Sequence, residues 1–131
     1  MLGFVLEAAV GKNLSAYLAE KLWKPLGMEA PALWALDREG GSEKAFCCVS
    51  ARARDFARFG RLFLERGHAN GAQLLPAAWS NPAAFPGTRT LDHYMHRHLW
   101  WFPEGQEGDY YAYGHNGQYV YVNPAARPRS R

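Results

Sequence analysis

The residues best suited to chemistry lie together late in the sequence, in the segment Tyr113-Gly114-His115-Asn116-Gly117-Gln118. Glycines on both sides of the imidazole remove side chains and leave room for a ligand. Gln118 then supplies a backbone N–H at the start of a predicted strand, and Tyr113 can wall the cleft, as aromatic residues often do at small-molecule sites. The segment therefore predicts a substrate pocket, and a plain polar turn between two strands is the alternative.

Three histidines at His93, His96 and His98 are close enough in sequence to suggest zinc. No cysteine or carboxylate completes an ordinary zinc spacing, Asp92 aside, and a strand beginning at His98 would point it away from His96. We therefore expect no metal and no cofactor. Nearby, Trp100 or Trp101 is a second candidate wall for the cleft, with core packing as the role of at least one of them.

The sequence has two cysteines, the neighbours Cys47 and Cys48. Adjacent residues in ordinary backbone geometry point their side chains apart, which disfavours a disulfide. We interpret both as buried small apolar residues. An apolar setting also disfavours the thiolate that a Cys-His hydrolase would need.

Apolar residues at three- and four-residue spacing predict a helix over residues 2–10 that ends at Gly11. A second helix ends at Pro25, residues 29–49 are irregular, and Ser50 is the N-cap of a third helix that Gly67 ends. The third helix has a predicted buried face made of Phe56, Phe59, Leu62 and Phe63.

The second half of the chain is rich in aromatic and β-branched residues, which favours strands. Three are predicted, at about residues 98–102, 110–113 and 117–122. Before them, Asn70-Gly71 indicates a tight turn and residues 75–79 a short helix with proline at its first position. Helices followed by antiparallel strands indicate an α+β fold.

Composition excludes several classes of protein. The 131 residues are 48% hydrophobic and 15% aromatic, which is unlike a disordered chain. No apolar run approaches the roughly 20 residues that span a bilayer. The net charge is +3, and three arginines in the last five positions account for it, so we expect no nucleic-acid partner. The start of the chain lacks the basic region and cleavage site of a signal peptide, which leaves the compartment open.

An ordered set of short motifs resembles the serine β-lactamase-like family, on the branch of class C enzymes, DD-peptidases, esterases and 6-aminohexanoate-dimer hydrolases. The resemblance covers residues 2 to about 124, as the C-terminal portion of the family fold. The motifs include Pro25-Leu26-Gly27-Met28, Ala45-Phe46-Cys47-Cys48, and Ala53-Arg54-Asp55-Phe56-Ala57-Arg58-Phe59-Gly60, followed by Gly71, Leu75-Pro76 and Trp79.

That family works through a Ser-x-x-Lys nucleophile with its base, a Tyr-x-Asn proton relay, and a Lys-Thr-Gly or His-Thr-Gly strand. None of the five serines of this chain has a lysine three positions later. Tyr121-Val122-Asn123 spells the second motif, but it follows the third one, and we interpret it as a chance match. The resemblance therefore implies a chain that carries only the third motif.

The third motif is Tyr113-Gly114-His115-Asn116-Gly117-Gln118, which is similar to Gly-His-Thr-Gly. The resemblance implies that His115 holds a substrate carboxylate or polarises the proton relay. It also implies that Gly117 lets the substrate approach and that Gln118 N–H is the second oxyanion donor. By the same resemblance, Tyr113 and Asn116 are expected to line this site, and Asn116 stands where the family has a threonine whose hydroxyl contacts substrate.

We therefore expect residues 1–124 to be a truncated β-lactamase-related domain, and residues 125–131 a basic, disordered tail. The resemblance implies a small-molecule amide or ester substrate and leaves β-lactams, D-amino peptides, esters and short nylon-type amides open. Alone, the chain is expected to be inactive and to self-associate through exposed apolar faces. The alternative is a noncatalytic remnant or partner-binding module.

Overall fold

The first two helices follow the predicted pattern. In the computed structural model, which describes residues 1–82, 87–89, 95–103, 108–114 and 116–126, α1 spans Leu2–Val10 and ends at Gly11 in the left-handed conformation, φ 67°. Helix α2 spans Leu14–Leu18 and continues as a π-helical turn over Ala19–Trp23. It begins at Asn13, whose Oδ1 accepts from Ala16 N–H at 2.9 Å, because a short polar side chain can satisfy a free amide of the first turn.

The segment predicted to be irregular contains a short antiparallel pair. Strand β1, Leu33–Trp34, pairs with β2, Val49–Ser50. Ser50 therefore belongs to a strand and is not the N-cap of the third helix. That helix, α3, spans Ala53–Leu64, and its first turn is closed by the carbonyl of Arg52, which accepts from Asp55 N–H at 2.9 Å.

The prediction for the two cysteines was wrong. Cys47 and Cys48 form a disulfide with each other, and Cys48 is exposed. Its backbone has φ 76°, in the left-handed region. That conformation breaks the alternation of neighbouring side chains on which the prediction relied, and it brings the two sulfur atoms to the same side.

The chain forms two compact units, Met1–Arg58 and Phe59–Arg131, and α3 runs through the boundary between them. In the second unit, the part of α3 from Phe59 onward buries Leu62 and Phe63, as predicted. Phe63 shares a core with Trp100, Tyr110 and Val122. Gly67, at φ 81°, follows the end of the helix.

Two hairpin strands follow α3: β3, His68–Ala69, and β4, Ala72–Gln73. Asn70 and Gly71 both have positive φ, 49° and 80°, which is the turn that an Asn-Gly pair predicts. The short helix predicted at residues 75–79 is a single turn, in which Ser80 N–H donates to the carbonyl of Pro76 at 3.0 Å.

The rest of the second unit is a five-stranded antiparallel sheet in the order β5-β6-β7-β8-β9. Its strands are β5 Thr88–Arg89, β6 Met95–Arg97, β7 Trp100–Phe102, β8 Tyr110–Tyr113 and β9 Tyr119–Val122. Helices with antiparallel sheets confirm the predicted α+β class. The strand predicted from residue 98 begins two residues later, because His98 and Leu99 have positive φ and form the turn between β6 and β7.

No helix within the described ranges is long and apolar enough to cross a membrane.

Candidate functional site

The predicted site is the hairpin between β8 and β9. Gly114 N–H donates to the carbonyl of Gln118 at 2.7 Å, and Gly117 N–H donates to the carbonyl of Gly114 at 3.0 Å. Gly117 has φ 80°. These are the features of a three-residue hairpin loop that ends in a left-handed residue and a bulge. The loop therefore needs glycine at position 117 for its conformation.

The side chain of Gln118 folds back over the loop. Its Oε1 accepts from Asn116 N–H at 3.1 Å. A Cβ added to Gly114 would lie 2.7 Å from this oxygen, so position 114 has no space for a side chain. A Cβ added to Gly117 would meet no described heavy atom within 4 Å. The room that the sequence predicted beside both glycines is thus open at Gly117 and filled by Gln118 at Gly114.

His115, the central residue of the prediction, lies outside the described residues, and its role stays a prediction. Its described neighbours Asn116, Gly117 and Gln118 are all exposed. The hairpin therefore presents the predicted substrate-binding positions at the surface of the second unit.

The two tryptophans considered as walls are on opposite faces of the sheet. Trp100 is buried in the core, in contact with the ring of Phe63 at 4.6 Å between centroids. Trp101 pairs with Tyr111 in the neighbouring strand, so it lies on the other face. Trp100 is thus a core residue, as one of the two was expected to be.

Trp101 belongs to what we call the outer aromatic face, formed by Trp101, Tyr111, Tyr113, Tyr119 and Tyr121. The β8–β9 register places Tyr111 opposite Tyr121 and Tyr113 opposite Tyr119. The ring centroids of Tyr113 and Tyr119 are 5.1 Å apart, and Tyr113 is 52% exposed. The predicted wall residue Tyr113 is therefore one end of a continuous aromatic surface, which alternate residues of the two strands could have indicated.

At the other end of the same two strands, Asp109 is buried and accepts hydrogen bonds from Tyr121 and Asn123. The hydrogen bond to the Asp109 carboxylate raises the pKa of Tyr121. Tyr121 and Asn123, which spell a Tyr-x-Asn motif, thus share a structural role around one buried carboxylate. Asp109 was not predicted as a site residue, since nothing in its local sequence pattern separates it from a surface loop residue.

The histidine cluster does not come together as a group in the described part of the chain. His96 packs against Trp101, with 4.7 Å between ring centroids, and His98 packs edge-on against Trp79 at 5.5 Å. His93 lies outside the described residues. Among the residues that the structure describes, no group of three or more His, Cys, Asp or Glu side chains could hold a metal ion.

No family model matches this chain. The 6-aminohexanoate-dimer hydrolase of Paenarthrobacter ureafaciens is 25% identical over 134 residues, which cover 95% of this chain and 34% of that protein. A solved structure from Bacillus anthracis, provisionally named as a 6-aminohexanoate-dimer hydrolase, matches with a TM-score of 0.81 and 31% identity. This match covers 95% of this chain and 33% of that one.

The α+β architecture and these matches confirm the predicted resemblance: the chain is related to the serine β-lactamase-like hydrolases and carries part of their fold. Within that family it is similar to 6-aminohexanoate-dimer hydrolases of two organisms. It spans about one third of the length of both relatives.

Proposed function

We propose that this chain supplies the third-motif hairpin of a serine hydrolase that forms and hydrolyses an acyl-enzyme. The observation that carries the proposal is the exposed segment of residues 116–118, where a Cβ added to Gly117 would meet no described heavy atom within 4 Å. A substrate backbone can approach a glycine in the left-handed conformation more closely than any other residue. Both similar proteins carry a hydrolase name, which supports the same reaction class.

The chemistry assigned to the hairpin is stabilisation of the tetrahedral oxyanion. In this proposal Gln118 N–H is one of two backbone donors, and the nucleophile's own N–H is the other. His115 provides the electropositive group that holds a substrate carboxylate or assists the proton relay. Tyr113, Asn116 and Gly117 line the pocket that holds the acyl group of the substrate.

The substrate class proposed is an amide or ester of a small molecule. The names of the two relatives favour a short linear amide, and no metal or cofactor is required for acyl transfer through a serine. The nucleophile would come from a Ser-x-x-Lys segment, which these 131 residues do not contain. In keeping with this assignment, residues 1–124 would act as one part of a β-lactamase-related domain, with residues 125–131 as a basic tail.

The test has two parts. The chain alone should not hydrolyse chromogenic β-lactams or p-nitrophenyl esters above background, because a serine without an adjacent base is a weak nucleophile. Mass spectrometry after incubation with penicillin or a fluorophosphonate should find no covalent adduct. An adduct on any serine of this chain would contradict the assignment of the nucleophile to another segment.

The second part joins residues 2–124 to the remaining two thirds of the Paenarthrobacter relative and measures hydrolysis of the 6-aminohexanoate dimer. In an active fusion, His115→Ala should lower kcat/KM by about 10²-fold or more, as expected for loss of a positioned catalytic group. Gln118→Pro, which removes the proposed oxyanion donor, should lower kcat by about 10²-fold or more. His68→Ala is the matched control, because His68 is exposed in β3.

A fusion that folds but whose turnover is insensitive to both substitutions would favour the alternative function. In that case the chain would be a noncatalytic remnant or a partner-binding module. Circular dichroism of each variant separates loss of the site from loss of the fold.

A further inference from the structure

The disulfide between Cys47 and Cys48 lies in an accessible turn of the first unit, where β2 begins. Cys48 is exposed and Cys47 is half-buried. Phe46, the residue before them, is 86% exposed. The turn that contains the disulfide therefore lies at the surface of the first unit, with Cys48 as the more exposed of its two cysteines.

The same turn is tied to Trp34 and β1 by hydrogen bonds. Trp34 Nε1–H donates to the carbonyls of Cys47 at 2.9 Å and Lys44 at 3.0 Å. Ala35 N–H donates to the carbonyl of Cys48 at 3.1 Å. Any change in the backbone at Cys48 thus alters the surroundings of Trp34 Nε1–H and Ala35 N–H, and each of these groups has its own NMR resonance.

The backbone of Cys48 has φ 76°, an angle that residues other than glycine rarely adopt. The bond between the two adjacent cysteines closes a small ring that includes this residue and restricts its backbone angles. Without the bond, nothing about a cysteine favours the left-handed region. Reduction should therefore let Cys48 return to ordinary backbone angles.

We propose that Cys47–Cys48 is a reversible thiol switch whose reductant is a dithiol. A thiolate of the dithiol attacks Sγ of Cys48, the more exposed of the two residues, and the sulfur–sulfur bond breaks, releasing Cys47 as a thiolate that takes up a proton. The second thiol of the reductant then attacks the mixed disulfide, which frees Cys48 and leaves the reductant as a disulfide. Two electrons and two protons pass to the cysteine pair, and the carbonyl of Cys48 moves away from Ala35.

The first measurement uses the native chain, with iodoacetamide as the probe and dithiothreitol as the dithiol. Before reduction, the intact mass should be lower than that of the dithiol form by two hydrogen atoms, and no cysteine should be alkylated. After reduction of the folded chain without denaturant, both cysteines should be alkylated. Alkylation of the air-oxidised folded chain, or dimers linked by disulfides, would overturn the proposal.

The second measurement is a two-dimensional amide spectrum of the nitrogen-15-labelled chain in both states. The resonances of Ala35 N–H and Trp34 Nε1–H should shift on reduction and return on reoxidation. Trp23 Nε1–H is an internal reference, because it donates to the carbonyl of Ala30 at 2.8 Å, outside the cysteine turn. The double variant Cys47→Ser with Cys48→Ser should not respond to dithiothreitol. Native resonances that stay unchanged on reduction would contradict the switch.

Discussion

Asp55 shows how one side chain organises the first unit. It is completely buried, and its Oδ1 accepts from Glu29 N–H at 2.8 Å and from Arg58 Nη1 at 3.0 Å. Arg58 also donates to Glu29 Oε1 at 2.7 Å, which lowers the pKa of the Glu29 carboxyl. Arg58 is therefore half-buried in a network with both carboxylates.

We expect Asp55→Ala to lower the free energy of unfolding by about 2–3 kcal/mol, because it leaves the part-buried Glu29 amide without its acceptor and removes a charged hydrogen bond to Arg58. Urea unfolding monitored by circular dichroism measures the change. Arg61→Ala is the control, because its side chain is 77% exposed and its ion pair with Glu65 lies at the surface, where such pairs contribute about 0–1 kcal/mol. Equal effects of the two substitutions would show that the Asp55 network adds nothing to stability.

At the scale of elements, α3 lies close to the sheet of the second unit because Gly60 has no side chain. A Cβ at this position would lie 2.8 Å from Cγ1 of Val120 and 3.6 Å from Cγ2 of Val122. Strand β9 is thus in direct contact with the helix backbone. This contact explains a glycine within a helix, where alanine would otherwise be favoured by about 1 kcal/mol.

We predict that Gly60→Ala destabilises the chain by about 1–3 kcal/mol, since the added methyl group forces the helix and strand apart. Val120→Ala also destabilises, through loss of packing, but the double variant should be less destabilised than the sum of the two. Thermal unfolding of all four proteins gives this coupling. Additive effects would mean that the helix accommodates a methyl group without pressing on Val120.

At the scale of the whole molecule, large apolar surfaces are exposed. On α1, Leu2 is 84% exposed, and Phe4 and Val5 are exposed as well. The outer aromatic face adds Tyr113, Tyr119 and Tyr121, each more than half exposed. Patches of this kind mark surfaces that associate with another surface.

We therefore predict that the isolated chain self-associates at micromolar concentration, which sedimentation velocity measures directly. Val5→Glu, on the apolar stripe of α1, should reduce association. Ala57→Glu adds the same charge to an exposed position of α3, outside both apolar surfaces, and should leave association unchanged. A monomer at all micromolar concentrations, with a sharp two-state thermal transition, would contradict this prediction.

Local sequence patterns determined much of this protein. The 3.6-residue periodicity predicted α1 and α3, and Gly11 and Gly67 predicted where these helices end. Asn70-Gly71 predicted a hairpin turn, and the aromatic and β-branched residues predicted β8 and β9. The order of the short motifs indicated the family, and the hairpin of residues 114–118 was identified as the candidate site. These features depend on interactions between residues close in the chain, which is why a single sequence contains them.

Tertiary structure alone decided the features that depend on contacts between distant residues. Strand pairing separated buried Trp100 from Trp101, because register determines which face a residue occupies. The left-handed turn at Cys48, where the two cysteines bond, lies against β1, because Trp34 and Ala35 donate hydrogen bonds to the carbonyls of Cys47 and Cys48. Asp55 accepts a hydrogen bond from Glu29, 26 positions away in the sequence. Position 60 requires a residue without a side chain only because β9 packs against it. Each outcome follows from a partner that no local pattern specifies.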